Sequence, residues 1–125
     1  MRIAIQSRGS SMRILIVHDD FQTTQALCTL AVREGHQCLM VKASSEIELA
    51  AADFRPDMAL LNSHADAGQS RILCAELRSI SVLTHCRMVA MSEDRSLESD
   101  PSPFDVVLIQ PSGFDEFLDL LDLFG

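Results

Sequence analysis

Short apolar runs alternate with segments of helical periodicity along this chain, and that alternation limits the fold more than any other feature. Arg13-Ile-Leu-Ile-Val-His18 is mostly β-branched and too short for a helix, so it is predicted to be a strand buried on both faces. Gln22 to Glu34 follows with Ala26, Leu27, Leu30 and Ala31 at helical spacing, and Gly35 supplies the C-terminal stop. A second strand is expected from Gln37 to Lys42. A short helix comes next, capped by Ser44 or Ser45 and broken at Arg55-Pro56-Asp57. Met58 to Asn62 is the third strand. Gln69 to Ser79 is helical, with Ile72, Leu73, Leu77 and Ile80 on its apolar face. Met88 to Ser92 and Asp105 to Ile109 are the fourth and fifth strands, and Phe114 to Phe124 is the last helix. Residues 93 to 104 contain one Leu and two prolines, Pro101 and Pro103, too few apolar positions for a full helix between strands four and five.

Strands and helices in this order give a parallel sheet with helices on both faces. Five strands of this length suit the flavodoxin-like order 2-1-3-4-5. Functional groups in such sheets gather where the strands end, near the point at which the strand order reverses. The strand ends here carry His18, Asp19, Asp20, Asn62, Ser92 and Gln110.

A chain of 125 residues makes one domain. Met1 to Ser11 reads as an extension, because Met12-Arg-Ile-Leu-Ile is a second plausible start after a Ser/Gly-containing stretch, which places the domain at residues 12–125. The net charge of −8 and a single lysine, Lys42, argue against direct nucleic-acid binding, which needs clustered cations. After Arg95 the charges are all acidic, from Glu98 to Asp122, a surface that suits a basic protein partner or is simply solvated. No apolar run is long enough to span a membrane and no signal-peptide pattern opens the chain, so the expectation is a cytoplasmic protein. The cysteines Cys28, Cys38, Cys74 and Cys86 form no CxxC pair and are expected to be reduced and buried, with nothing in the sequence placing any two together. No Gly-rich phosphate loop and no nucleophile elbow is present. His18, Asp19 and His64 match no known metal-ligand spacing, so no metal and no cofactor is expected.

Five segments in order resemble the receiver domain of two-component response regulators, over about Met12 to Phe124. They are Ile14-Leu-Ile-Val-His-Asp-Asp20, Arg33-Glu-Gly-His36, Arg55-Pro-Asp-Met-Ala-Leu-Leu-Asn62, Ser92 at the end of the fourth strand, and Gln110-Pro111. The resemblance implies an acidic pair, a phosphoacceptor aspartate, a hydroxyl and a lysine at fixed strand ends. His18 falls at the first acidic position, Asp19 at the second, Asn62 at the phosphoacceptor, Ser92 at the hydroxyl and Gln110 at the lysine. Val107 falls at the aromatic switch position. An amide at 62 offers no anionic oxygen to phosphorus. Gln110 offers no cation to the developing charge. With two family carboxylates replaced, the site keeps Asp19, helped by Asp20, and affinity for magnesium is expected to drop steeply.

The expectation is therefore a non-enzymatic pseudo-receiver. It would act independently of phosphorylation as a protein-interaction module, by itself or as the receiver part of a longer transcriptional regulator. The docking surface would be the fifth strand and last helix, through Phe117, Leu120, Leu123 and Phe124, to a protein partner or to a second copy in a homodimer. The alternative is a sensor of a small molecule or metal in the same polar pocket.

Overall fold

The computed structural model describes residues 11–18, 21–42, 47–62, 67–92, 103–109 and 114–124. Five strands, β1 (Arg13–His18), β2 (Gln37–Lys42), β3 (Met58–Asn62), β4 (Arg87–Ser92) and β5 (Val106–Ile109), form one sheet in the order β2-β1-β3-β4-β5. All four pairings are parallel. The helices are α1 (Phe21–Arg33), α2 (Ile47–Phe54), α3 (Ala67–Arg78) and α4 (Phe114–Phe124), with a 3-10 turn at Ser81–Leu83 that the sequence pattern did not signal. The fold is thus the flavodoxin-like one expected.

The period of two along each strand divides the core into two layers. Ile14 and Ile16 of β1, Met58 and Leu60 of β3, and Val89 and Met91 of β4 meet Leu27 and Ala31 of α1 and Phe117, Leu120 and Leu121 of α4. Leu15 and Val17, Ala59 and Leu61, and Met88 and Ala90 face the other way, onto Ile47 and Ala51 of α2, Cys74 and Leu77 of α3, and Leu83. Both faces are covered, which is why the strands read as continuous apolar runs.

One helix face and one connecting segment differ from expectation. On α3, Ile72 is 54% exposed while Ser70, Cys74 and Leu77 are buried. The helix begins two residues earlier than predicted, and the inward stripe runs through position 70 rather than 72. Phe104, in a segment expected to contribute little, is only 7% exposed and belongs to the layer beneath α2 and α3. Ser44, Ser45, His64 and residues 93–102 lie outside the described residues.

Gly35 ends α1 as expected, and for a backbone reason. Its φ is +95°, and the N–H groups of Gly35 and His36 donate to Val32 O and Ala31 O at 3.0 Å each. This reversed-turn cap satisfies two carbonyls that the helix leaves open. Arg55 also takes a positive φ, 54°, immediately before Pro56. A residue with a Cβ held there costs about 1 kcal/mol, so the break after α2 is imposed by the sheet that follows it.

The amino ends of the strands are tied by one device used twice. Asp57 precedes β3, and its Oδ2 accepts from the Arg13 N–H at 2.9 Å while its own N–H donates to Arg13 O at 2.7 Å. Asp105 precedes β5, and its Oδ2 accepts from the Met88 N–H at 2.8 Å while its N–H donates to Met88 O at 2.7 Å. Each carboxylate pairs a main-chain donor at the start of a neighbouring strand. Asp105 also meets Arg78 Nη2 at 3.2 Å, and Arg78 Nε donates to Pro103 O at 2.8 Å. These groups are a third exposed or more, which screens their charges. Asp105→Ala is expected to lower stability by about 1–2 kcal/mol, as for a charge-assisted bond to backbone. Asp105→Asn keeps an acceptor and loses less. Urea unfolding compares the two.

His36 closes the same end of the sheet. The Met12 N–H donates to its Nδ1 at 2.9 Å, so the ring is neutral there. Burial pushes the His36 pKa below 6.5, partly opposed by Glu34 and by Asp122 of α4. The folded state therefore binds this proton less readily than the unfolded chain does. The corresponding stability is complete above pH 6.5 and is lost as the pH falls from there through the folded value. Stability measured across that interval is expected to fall less steeply with acidification in His36→Gln than in the parent chain.

Candidate functional site

The carboxyl ends of β1 and β3 lie side by side at the centre of the sheet. His18 pairs in register with Asn62 of β3 on one side and with Lys42 of β2 on the other. Ser92 closes β4 opposite Ile109 of β5, the residue before Gln110. The strand order reverses between β1 and β3, so the described backbone brings His18, Asn62 and Ser92 to one rim at the switch point. Asp19, Asp20 and Gln110 lie outside the described residues, and Asn62 is described through its backbone alone.

His18 is the best-defined side chain of the rim. It is 7% exposed, and its ring meets the edge of Phe21, at the start of α1, with centroids 6.2 Å apart. Its Nδ1 is sealed from solvent and has no hydrogen-bond partner among the described residues. A buried polar atom left unpaired costs about 1–3 kcal/mol, so this nitrogen is a source of instability at the point where the resemblance implies a carboxylate. Ser92 and Val107 are half-buried. Val107 packs at the margin of the layer beneath α2 and α3, and its aliphatic side chain has no ring to swing in or out. Lys42 is exposed at the end of an edge strand. Its register beside His18, invisible in the sequence, places the sole lysine at the same rim but on the side away from β4 and β5.

The proposed docking surface contracts in the structure. Phe117 is fully buried and Leu120 is 7% exposed, both within the layer shared by α1 and α4, so neither is available at the surface. The i, i+3, i+4 spacing that made α4 look over-supplied with apolar residues places 117, 120 and 121 on the inward stripe. Leu123 remains outside at 72% exposure. Phe124 is half-buried, with the Arg87 guanidinium 4.7 Å above its ring. The outward side of α4 carries Asp115, Glu116, Asp119 and Asp122, all exposed.

At the opposite end of the strands, an open groove of about 350 Å³ runs between Met12, Asp57, His85, Arg87 and Phe124. No group of three or more metal-ligating side chains occurs among the described residues. None of their helices is long and apolar enough to cross a membrane.

Replacing His18 by Phe keeps the contact with Phe21 and removes the unpaired nitrogen. His18→Phe is expected to be neutral or to gain up to about 1 kcal/mol in urea unfolding, against the usual loss for a buried polar-to-apolar change. A loss of that size instead would mean that Nδ1 is held by a partner.

No protein-family model and no curated protein matches the sequence. Solved structures match its fold closely. A CheY-like response regulator receiver domain from Methylobacillus flagellatus superposes with a TM-score of 0.80 at 19% identity, covering 93% of this chain and all of that one. The receiver domain of a sensor histidine kinase from Pseudomonas aeruginosa, with magnesium coordinated in its active-site cleft, gives 0.71 at 16% identity over 92% of this chain and 98% of that one. PhyR from Bartonella quintana, an anti-anti-sigma factor, gives 0.71 at 15% identity over 94% of this chain and 49% of that one. Magnesium takes hard oxygen ligands in octahedral geometry. An enclosed imidazole at His18, on the strand end that should face the ion, does not fit that requirement. What the chain has in common with these proteins is the fold of the response regulator receiver domain.

Proposed function

We propose that this chain is a non-enzymatic signalling module that keeps the receiver fold and dispenses with phosphoryl transfer, acting by binding a protein. The observation that carries this reading is His18. A buried imidazole stands at the centre of the rim, where the resemblance implies an ion-facing carboxylate, in register with Asn62, which has no oxygen able to attack phosphorus. Gln110 completes the set by removing the cation that would neutralise the transferred group. The three changes support one another chemically: an ion, a nucleophile and a counter-charge are useful only together. The rigid half-buried Val107 agrees with a module that does not switch through an aromatic rotamer.

Protein binding is favoured over a small ligand by the exposed Leu123 beside the acidic outward side of α4, a combination that suits a partner with a basic rim around an apolar contact. PhyR, a protein of similar fold whose described role is to act on other proteins, is in keeping with this. A second reading, a small-molecule or metal sensor, draws on the unpaired Nδ1 of His18. Ligand-dependent shifts in thermal midpoint discriminate the two.

The test is incubation of the full chain with acetyl phosphate and magnesium, followed by intact mass. The mass of the starting protein is mapped first, because deamidation at Asn62-Ser63 would restore an acceptor. The parent chain is expected to gain no phosphoryl adduct, whereas the combined change His18→Asp, Asn62→Asp and Gln110→Lys gains one. Stoichiometric labelling of the parent chain would overturn the proposal.

A further inference from the structure

Where the strands begin, two open grooves share one wall. The first, of about 350 Å³, has Met12, Asp57 and Phe124 in its lining. The second, of about 290 Å³, has Arg78, Thr84 and Asp105. His85 and Arg87 stand in both linings, and both are exposed. Arg87 opens β4, one residue before the fully buried Met88. Its guanidinium lies over the Phe124 ring, 4.7 Å from the centroid. Stacking occupies the face of the guanidinium and leaves the N–H groups at its edge able to donate. Among the described residues those groups have no hydrogen-bond or ion-pair partner.

Other arginines at this pole are engaged. Arg13 Nε donates to Phe54 O at 2.7 Å, and Arg78 is held by Pro103 O and Asp105. Arg33 and Arg78 close α1 and α3, where a cation offsets the carbonyl end of the helix. Arg87 sits on a strand and has neither task. The carboxylates of the two linings are committed elsewhere. Asp57 Oδ2 accepts from the Arg13 N–H, and Asp105 Oδ2 accepts from the Met88 N–H and from Arg78.

We infer that Arg87 and His85 form a binding site for a small oxyanion, a phosphate or a carboxylate. The planar edge of Arg87 supplies two parallel donors that match two oxygens of such a group. His85 carries at least one ring N–H in either charge state. Phe124 already fixes the guanidinium plane, so little side-chain freedom is lost on binding. The net charge of −8 opposes diffuse attraction of anions to this chain, so an anion retained here is retained by these donors. The site lies at the opposite end of the strands from His18, and it stands or falls apart from the reading of the rim.

The test is a titration of the isotope-labelled full chain with sodium phosphate and, separately, with sodium succinate. Ionic strength is held constant with chloride, and backbone amides and arginine Nε–H groups are followed by NMR. The expected result is a saturable shift of the Arg87 Nε–H and of the His85 and Arg87 amides, with His18 unmoved. The anion that saturates at the lower concentration identifies the source as phosphate or carboxylate. Arg87→Met keeps an apolar contact with Phe124 and is expected to weaken binding about tenfold or more. Should that variant not fold, Arg87→Lys keeps the charge, lacks the planar fork and is expected to bind more weakly than the parent chain. Arg33→Met is expected to leave binding unchanged. The inference is overturned if neither anion gives a saturable shift, if chloride alone reproduces it, if the shifts centre on His18, or if binding survives undiminished in the folded Arg87 variant.

Discussion

β1 is bonded on both edges, to β2 and β3, and buried on both faces, so its register fixes everything around it. Ile14 and Ile16 commit α1 and α4 to one side, and Leu15 and Val17 commit α2 and α3 to the other. A slip of one residue would exchange those sets and turn each layer's apolar side chains against the wrong helices. The same register delivers His18 to the centre of the carboxyl rim, next to Asn62. Core and site are thus two readings of one strand, and the rim's chemistry can change only by substitution in place.

The substitutions found there remove charge in a balanced way. A carboxylate pair facing a lysine is a small electrostatic circuit, and losing one pole alone leaves the others with uncompensated repulsion or desolvation. His18, Asn62 and Gln110 supply neither a carboxylate nor an ammonium, while Lys42 stands beside His18 in register. What remains costly is local: the enclosed Nδ1 of His18, a polar atom without a partner among the described residues.

The strands were legible to within one residue, because a doubly buried parallel strand leaves a contiguous apolar run bounded by polar or turn residues. The helix ends were legible where backbone chemistry marks them, as at Gly35. Side-chain direction on helices was not. On α3 the inward stripe goes through Ser70 and Cys74, because a small hydroxyl fits against the sheet where a bulkier Ile72 is left in solvent. On α4, Leu120 was expected at a contact surface because helical spacing cannot say how wide a stripe the neighbouring α1 will cover. The meeting of Lys42 with His18 depends on the β1–β2 register, which no local pattern encodes. The proposal that the rim lacks phosphotransfer chemistry rests on residue identities at 18, 62 and 110, to which the coordinates add the burial of His18 and its register beside Asn62 and Lys42.

The paired aspartate clasps sit where the strands begin, at the end of the sheet remote from the rim. Asp57 and Asp105 lace β1 to β3 and β4 to β5 there through main chain and carboxylate together. Cohesion and chemistry consequently occupy opposite poles of the molecule. A substitution at the rim therefore leaves the ties at the strand starts untouched, so the scaffold tolerates a change of chemistry at one pole without loosening at the other.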